Sequence, residues 1–383
     1  MKFLRTISTT RLLALIAGFV AAAVGCTAIA LAATNGGAKP PPKPLANALH
    51  DAISAPPVQG LSARIKFTNH LVDSAAIPGA NPLLKGASGR LWLGSGHRLR
   101  LELQGDNGDS QIVVNGESFS VYDASSNTVY RGQLPSRPEQ AGAKSSPPSL
   151  SEIQTDLGKL AGKAHVSGAN PSNVAGQPAY TVRVTPTDGS GLLNGAALAW
   201  DAARGVPLRV AIYARGSSSP VLELTATGIS YGDVPASAFA ISPPANAKKI
   251  DVTPSGPGKG GKGEKPVTGL NAVAKAVPFK LSAPNSLAGM PRTEVKLVHW
   301  GDSPAALVTY GEGLGSIAVV ERAQTASSSG DSLNLPSVDI NGVKGNELDT
   351  ALGTLVRFKR GNVTYTVAGS VKPDTAKSAA RGL

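Results

Sequence analysis

The chain has 383 residues, of which 41% are apolar, which is enough for a sizeable core and favours two domains over one. Aromatic residues make up only 4% while glycine (44) and proline (29) are abundant, a composition that argues against a long helical bundle or coiled coil. The formal net charge of +12 is dispersed, with no arginine-rich helix, so we predict no nucleic-acid partner; the single cysteine excludes a disulfide framework.

The N-terminus has the pattern of an export signal. Three basic residues precede Leu12–Ala33, a run of 22 uncharged residues that is long enough, as a helix, to span a hydrocarbon core. Positive charge before the run places everything after it outside the cytoplasm. Three fates stay open: an uncleaved membrane anchor, cleavage after Ala30-Leu31-Ala32, and lipidation at Cys26, whose preceding residues loosely resemble a lipobox.

Helix and strand periodicities alternate in the first half of the chain. A proline-rich spacer (34–44) precedes Leu45–Ile53, where apolar residues recur every three or four positions, as in an amphipathic helix. Apolar and polar residues then alternate in Ala63–Phe67 and Leu99–Leu103, and Asn115-Gly116 is a hairpin signal. This half is predicted to be an antiparallel meander.

A second helix and more strands complete the predicted first domain. Ser149 and Glu152 form a capping box ahead of the apolar positions of a helix. Extended segments follow, at Tyr180–Val184, 196–200, 208–213 and 221–227.

The predicted divisions of the whole chain are a signal peptide or anchor (1–33), a spacer (34–44), a first domain (45–244), a Gly/Pro/Lys linker (245–268) and a small α+β domain (269–383).

The predicted second domain has short helices at its two ends. One lies near Asn271–Val277 and one begins at Pro373, with five strands between them. The glycines of Gly311–Gly315 stand between two of these strands and open no helix, so we predict a hairpin turn there rather than a dinucleotide site.

Residue patterns typical of catalysis are missing from the sequence. The five histidines stand far apart without H-x-H or H-E-x-x-H spacing, and no G-x-S-x-G motif occurs. We therefore predict a non-enzymatic protein with no catalytic residue, no metal and no cofactor.

The strand pattern itself suggests a binding surface. A single antiparallel layer with one leucine-rich face needs a cover, and this half of the chain supplies only two convincing helices. An incompletely covered sheet would leave an apolar groove for acyl chains. The candidate lining residues are Leu91, Leu93, Leu99, Leu101 and Leu103. The alternative is that these leucines form an ordinary closed core.

An ordered series of short motifs resembles a known fold. The series runs through Gly89–Leu93, Arg98–Arg100, Asn115-Gly116, Tyr122-Asp123, Tyr180–Pro186, Trp200-Asp201, Pro207-Leu208, Phe239 and Pro243-Pro244. It is similar to the LolA-type lipoprotein-carrier fold, which LprG/LppX-like lipid-binding proteins share with the N-terminal domain of RseB/MucB-like sigma-factor regulators. The resemblance implies an open antiparallel half-barrel with helices in its mouth and a cavity for acyl chains.

The second domain has a resemblance of its own. Met290-Pro291, Tyr310, Asn341-Gly342 and the segment 361–383 resemble a small extracytoplasmic domain of unknown function (DUF4367-like). The domain order is that of RseB, and the apolar N-terminal run favours a tethered role over shuttling between two membranes.

These resemblances imply two functions. The first is a lipid- or lipoprotein-binding protein of the cell membrane, or a secreted one after signal cleavage, whose partner is an acyl chain or a lipidated protein. The second is a regulator that binds an anti-sigma factor in envelope-stress signalling.

Overall fold

The computed structural model describes residues 37–71, 86–105, 108–124, 126–134, 147–240, 243–252, 267–300, 303–324 and 335–383. Within these ranges the chain is mainly antiparallel β-sheet with a few helices, which confirms the predicted α+β class and its open half-barrel. The α-helices are α1 (Leu45–Ser54), α2 (Leu150–Ala161), α3 (Leu270–Ala276) and α4 (Pro373–Arg381).

The first sheet contains thirteen strands of the described chain. They are β1 (Gly60–Asn69), β2 (Ala87–Gly94), β3 (Arg98–Gly105), β4 (Gly108–Asn115), β5 (Ser118–Asp123), β6 (Thr128–Gln133), β7 (Ala164–Val166), β8 (Asn170–Val174), β9 (Gln177–Pro186), β10 (Leu193–Asp201), β11 (Pro207–Ala214), β12 (Leu222–Tyr231) and β13 (Lys248–Val252). The order is β13-β6-β5-β4-β3-β2-β1-β12-β11-β10-β9-β7, with β8 also paired to β9. Two runs of sequential hairpins therefore meet where β1 pairs with β12.

Both helices of this half lie where the sequence predicts them. Proline at position 44 precedes the first turn of α1, and the Ser149 hydroxyl accepts the amide of Glu152 while the Glu152 carboxylate accepts the amide of Ser149. Ala48 and Ala52 of α1 pack on one face of β9 and β10, and α1 in turn contacts α2. We call the sheet face that bears the helices the inner face.

The second sheet holds eight strands of the described chain. They are β14 (Ser286–Leu287), β15 (Met290–Trp300), β16 (Ser303–Tyr310), β17 (Ile317–Ala323), β18 (Ser337–Ile340), β19 (Val343–Thr350), β20 (Gly353–Arg360) and β21 (Val363–Gly369). Their order is β14-β15-β16-β17-β21-β20-β19-β18. The helix α4 packs on β20 and β21, and α3 packs on β15, so that one apolar core lies between sheet and helices.

The two sheets contact each other through the loop between β9 and β10. The amide of Leu192 donates to the Ser370 hydroxyl at 2.9 Å, and the amide of Gly315 donates to the Ser190 hydroxyl at 2.9 Å. The predicted hairpin turn at 311–315 is confirmed: it joins β16 to β17 and includes a 3-10 turn.

One element differs from the expectation. Lys248–Val252, which the sequence analysis places in the linker, forms β13 and pairs in parallel with β6. The segment is polar, so its own sequence gives no sign of a strand. Its pairing partner also lies about 120 residues earlier in the chain.

The predicted anchor cannot be compared with the structure. Leu12–Ala33 and Cys26 lie outside the described residues, and among the residues that are described no helix is long and apolar enough to cross a membrane.

Candidate functional site

The five predicted leucines share the inner face of the first sheet. In the register of β2 and β3, Leu91 lies directly opposite Leu101, and Leu93 lies opposite Leu99. Leu103, two positions beyond Leu101, points to the same face because side chains alternate along a strand. The period-two pattern therefore placed all five on one side correctly.

These leucines differ in burial. Leu99 and Leu103 are closed off, with 4% and 2% of their surface exposed. Leu91, Leu93 and Leu101 are only half-buried and lie at the margin of a core cluster that includes Leu103. The face thus contains a packed floor and a partly open apolar surface beside it.

The position of the helices explains why the surface is partly open. The residues that α1 covers, Tyr180, Val182 and Trp200, belong to β9 and β10. Five strand spacings separate β10 from β3 along the sheet, or about 24 Å. The helices α1 and α2 pack against each other and against the β7–β10 end of the sheet, whereas Leu91, Leu93 and Leu101 pack against the separate cluster around Leu61 and Leu103.

Further apolar side chains line the same face. Phe67, Leu224, Ile229 and Tyr231 are half-buried and pack against the same cluster. The sequence indicated a strand over 221–227 but not which of its residues face inward. A register shift between Arg64 and Ile65 in the β1–β12 pair breaks the simple alternation and hides that assignment.

A polar cluster lies at one end of this surface. The Tyr231 hydroxyl donates to Asp201 at 2.7 Å, and the Arg204 guanidinium lies 4.1 Å from the centre of the Tyr231 ring. Burial, together with the Asp201 carboxylate, raises the pKa of Tyr231, so the phenol stays protonated and remains a donor. Asp201 also accepts the amides of Ala203 and Arg204, as expected for an aspartate that caps a turn.

The described residues on this face form an apolar surface with a polar cluster at one end. No group of three or more His, Cys, Asp or Glu side chains that could hold a metal ion occurs among the described residues. The Asp201 carboxylate beside the surface is already hydrogen-bonded to two amides, a phenol and the Arg204 guanidinium. The arrangement is suited to holding an apolar ligand, with Tyr231 and Arg204 at one end.

Several solved structures are similar to this chain. The complex of Pseudomonas aeruginosa MucA and MucB matches with 18% identity and a TM-score of 0.41, covering 88% of this chain and 94% of the other. MucB in complex with periplasmic MucA matches with 17% identity and a TM-score of 0.40, covering 84% and 91%. A LolA-superfamily protein from Nitrosomonas europaea matches with 13% identity and a TM-score of 0.20, covering 52% and 98%.

A scan against protein-family models gives no match, and a search of curated proteins gives none either. MucB and a LolA-superfamily protein are among the solved structures that match.

Proposed function

We propose that this chain is a non-enzymatic, membrane-associated extracytoplasmic protein whose first sheet binds a lipid acyl chain or the lipid part of a lipidated polypeptide. The observation that supports this most directly is the partly exposed apolar surface around Leu91, Leu93 and Leu101, outside the cluster that α1 covers. Burial of each methylene of an acyl chain contributes about 0.8 kcal/mol, so eight buried methylenes would contribute about 6 kcal/mol. That amount corresponds to a dissociation constant on the order of tens of micromolar, a reversible complex that longer acyl chains would tighten.

A polypeptide ligand, such as an anti-sigma factor, is the second candidate. The contacts between the loop at 188–192 and the second sheet favour it. A polypeptide is long enough to contact both the inner face of the first sheet and the second sheet beside the loop at 188–192. An acyl chain requires contact with the first sheet only.

The test compares two leucines on the same strand and face. Leu101→Glu places a carboxylate at the half-buried position, where it keeps part of its hydration, so we expect a folded protein that has lost acyl-chain binding. Leu103→Glu buries an unpaired carboxylate in the closed floor at a cost of several kcal/mol, and we expect it to lower the melting temperature strongly. The measurement pairs a thermal melt with binding of a fluorescent fatty acid.

The opposite result is equally clear. If Leu101→Glu unfolds like Leu103→Glu and the wild type binds no fatty acid, the leucines are an ordinary core.

A separate experiment, mass spectrometry of the full chain taken from a bacterial membrane fraction, distinguishes a lipid ligand from a polypeptide ligand. A copurifying lipid supports the first, and an anti-sigma polypeptide without lipid supports the second.

A further inference from the structure

The outer face of the first sheet, opposite the helices, carries three exposed cations side by side. Arg64 of β1 lies directly opposite Arg90 of β2, and Lys66 follows Arg64 on the same face, opposite Ser88. All three side chains are exposed.

This arrangement is unfavourable for an isolated sheet, because like charges directly opposite each other on adjacent strands destabilise the pair. Glu102 lies opposite Arg90 on β3, but its carboxylate forms its ion pair with Arg100. Within the described part of the chain, Arg64, Lys66 and Arg90 make no ion pair with an acidic side chain.

The positive face extends along the sheet toward β9. Arg209 and Arg183 lie on the same outer side, where Arg209 pairs with Glu223 and Arg183 lies 4.0 Å from the centre of the Tyr213 ring. Trp92 adds an aromatic side chain beside Arg100. We call the residues Arg64, Lys66, Arg90, Arg183 and Arg209 the basic belt.

The start of the described chain is fixed at the β9 edge of the sheet, on the side that bears α1. The Tyr180 hydroxyl donates to the carbonyl of Pro41 at 2.7 Å, and the Asn173 side chain donates to the carbonyl of Ala38 at 3.1 Å. Only five residue steps separate Ala38 from Ala33, the last residue of the apolar run, and they span at most about 18 Å. If the run stays in the membrane, the first sheet must lie close to the lipid headgroups.

We propose that the basic belt docks on the anionic headgroups of the membrane in which the chain is anchored. The inference rests on the membrane association in the proposed function and adds the orientation of the sheet. A membrane fits better than an acidic peptide, because the cations are spread across one sheet face, on β2, β1, β11 and β9, instead of lining a groove. In this orientation the inner face points away from the bilayer, toward soluble or lipidated partners.

The rate of chemical labelling at Lys66 measures the contact between the basic belt and the membrane. The full chain is reconstituted in vesicles of phosphatidylcholine alone or mixed with phosphatidylglycerol, and lysine acetylation is followed by mass spectrometry. Each cation near an anionic surface favours contact roughly fivefold, so three favour it by roughly a hundredfold. We expect slower labelling of Lys66 in the anionic vesicles, reversed by high salt, with no change at the exposed Lys344 of the second sheet.

A matched pair of variants tests the assignment. Arg64→Glu with Arg90→Glu should abolish the protection of Lys66. Lys359→Glu with Lys372→Glu, an equal change of charge on exposed residues of the second sheet and the segment after it, should preserve the protection. Equal labelling in both kinds of vesicle, or protection that survives the Arg64/Arg90 change, would overturn the proposal. Protection by a polyglutamate peptide but not by vesicles would also overturn it and indicate an acidic polypeptide.

Two measurements on the same samples keep the proposals apart. Retention of the chain in the vesicle pellet after a high-salt wash reports the anchor. Fatty-acid binding, which the Arg64/Arg90 variant should retain, reports the inner face. Loss of Lys66 protection with retained fatty-acid binding therefore counts against the belt alone.

Discussion

Glu321 is a carboxylate buried in the core of the second sheet. It is fully buried, one of its oxygens accepts the amide of Ser282 at 2.9 Å, and the other finds no hydrogen-bond partner within the described chain. Burial raises its pKa to about 7, against the opposing effect of the Ser282 amide. The same surroundings, with the Glu321 charge, raise the pKa of Tyr310 to about 12.

The free energy of unfolding is therefore expected to depend on pH through Glu321. Because the folded pKa lies above the ordinary value of 4.5, the contribution is fully present below pH 4.5 and is lost as pH rises through 7. Glu321→Gln should remove a difference on the order of 2–3 kcal/mol between pH 4.5 and pH 8. Calorimetric melts at both pH values measure it, with the exposed Glu312→Gln as the control. An unchanged pH profile in Glu321→Gln would contradict this assignment.

The sequence indicates where Glu321 lies but not what it does. Alternation over Ile317–Glu321 predicts a strand, and the structure confirms that strand. Its hydrogen-bond donor, Ser282, is about 40 residues away, in a loop whose path depends on packing. The same reason separates Leu101 from Leu103: periodicity assigns the face, and only tertiary contacts decide how far each side chain is buried.

At the scale of elements, α1 is held against the turn between β10 and β11 by a close approach at Gly205. This residue has a φ of +66°, and a Cβ atom there would lie 2.2 Å from the carbonyl oxygen of Ala52 in α1. The amide of Gly205 also donates to the carbonyl of Asp201 at 2.8 Å. The turn therefore needs glycine twice, for its backbone conformation and for the helix above it.

A comparison of two glycines separates these requirements. Gly205→Ala should displace the C-terminal end of α1, because both the backbone strain and the contact with Ala52 act against it. Gly216→Ala introduces similar strain at a φ of +81° with open space around the new methyl, so it should cost only about 1–2 kcal/mol. Thermal melts and hydrogen exchange of the α1 amides measure both. Equal effects of the two changes would show that the contact with Ala52 is unimportant.

Local signals predicted some elements well and missed another. The capping box at Ser149 and Glu152 lies within four residues and predicts the start of α2, as the structure confirms. The strand β13 depends on a parallel partner, Thr128–Gly132, far earlier in the chain, and a Lys-rich segment gives no local sign of it.

At the scale of the whole molecule, Asp188 takes part in the contact between the sheets, beside the hydrogen bonds of Ser190 and Leu192. Its carboxylate accepts the amide of Leu314 in the glycine turn and the amide of Ser190. A hydrogen bond from the Ser190 side chain has the largest effect on the pKa of Asp188. Together with the two amides it lowers that pKa to about 2. Ionised Asp188 thus supports the contact above pH 4, and its contribution is lost as pH falls toward 2.

Limited trypsin digestion tests this contact. The segment 253–266 is rich in glycine and lysine, so we expect the first cuts there. The two fragments should stay together on a sizing column at pH 8, and Asp188→Ala should release them more readily. Asp233→Ala, at an exposed aspartate in the loop after β12, is the control. First cuts within β2 or β3 would contradict the two-domain interpretation, and equal release in both variants would exclude a role for Asp188.

The pairing of β1 with β12 has a consequence for how the chain reaches its native state. Asn69 lies opposite Leu222, so the central seam of the first sheet joins residues about 150 positions apart. Such high contact order slows folding, since a long loop must close before the pairing stabilises it. As the chain is synthesised from its N-terminus, β1 remains an uncovered edge beside the leucine-rich strands until β12 arrives. During that interval the exposed edge of β1 favours association with other chains. We therefore expect a chaperone that binds unfolded chains to protect the first meander until β12 has been synthesised.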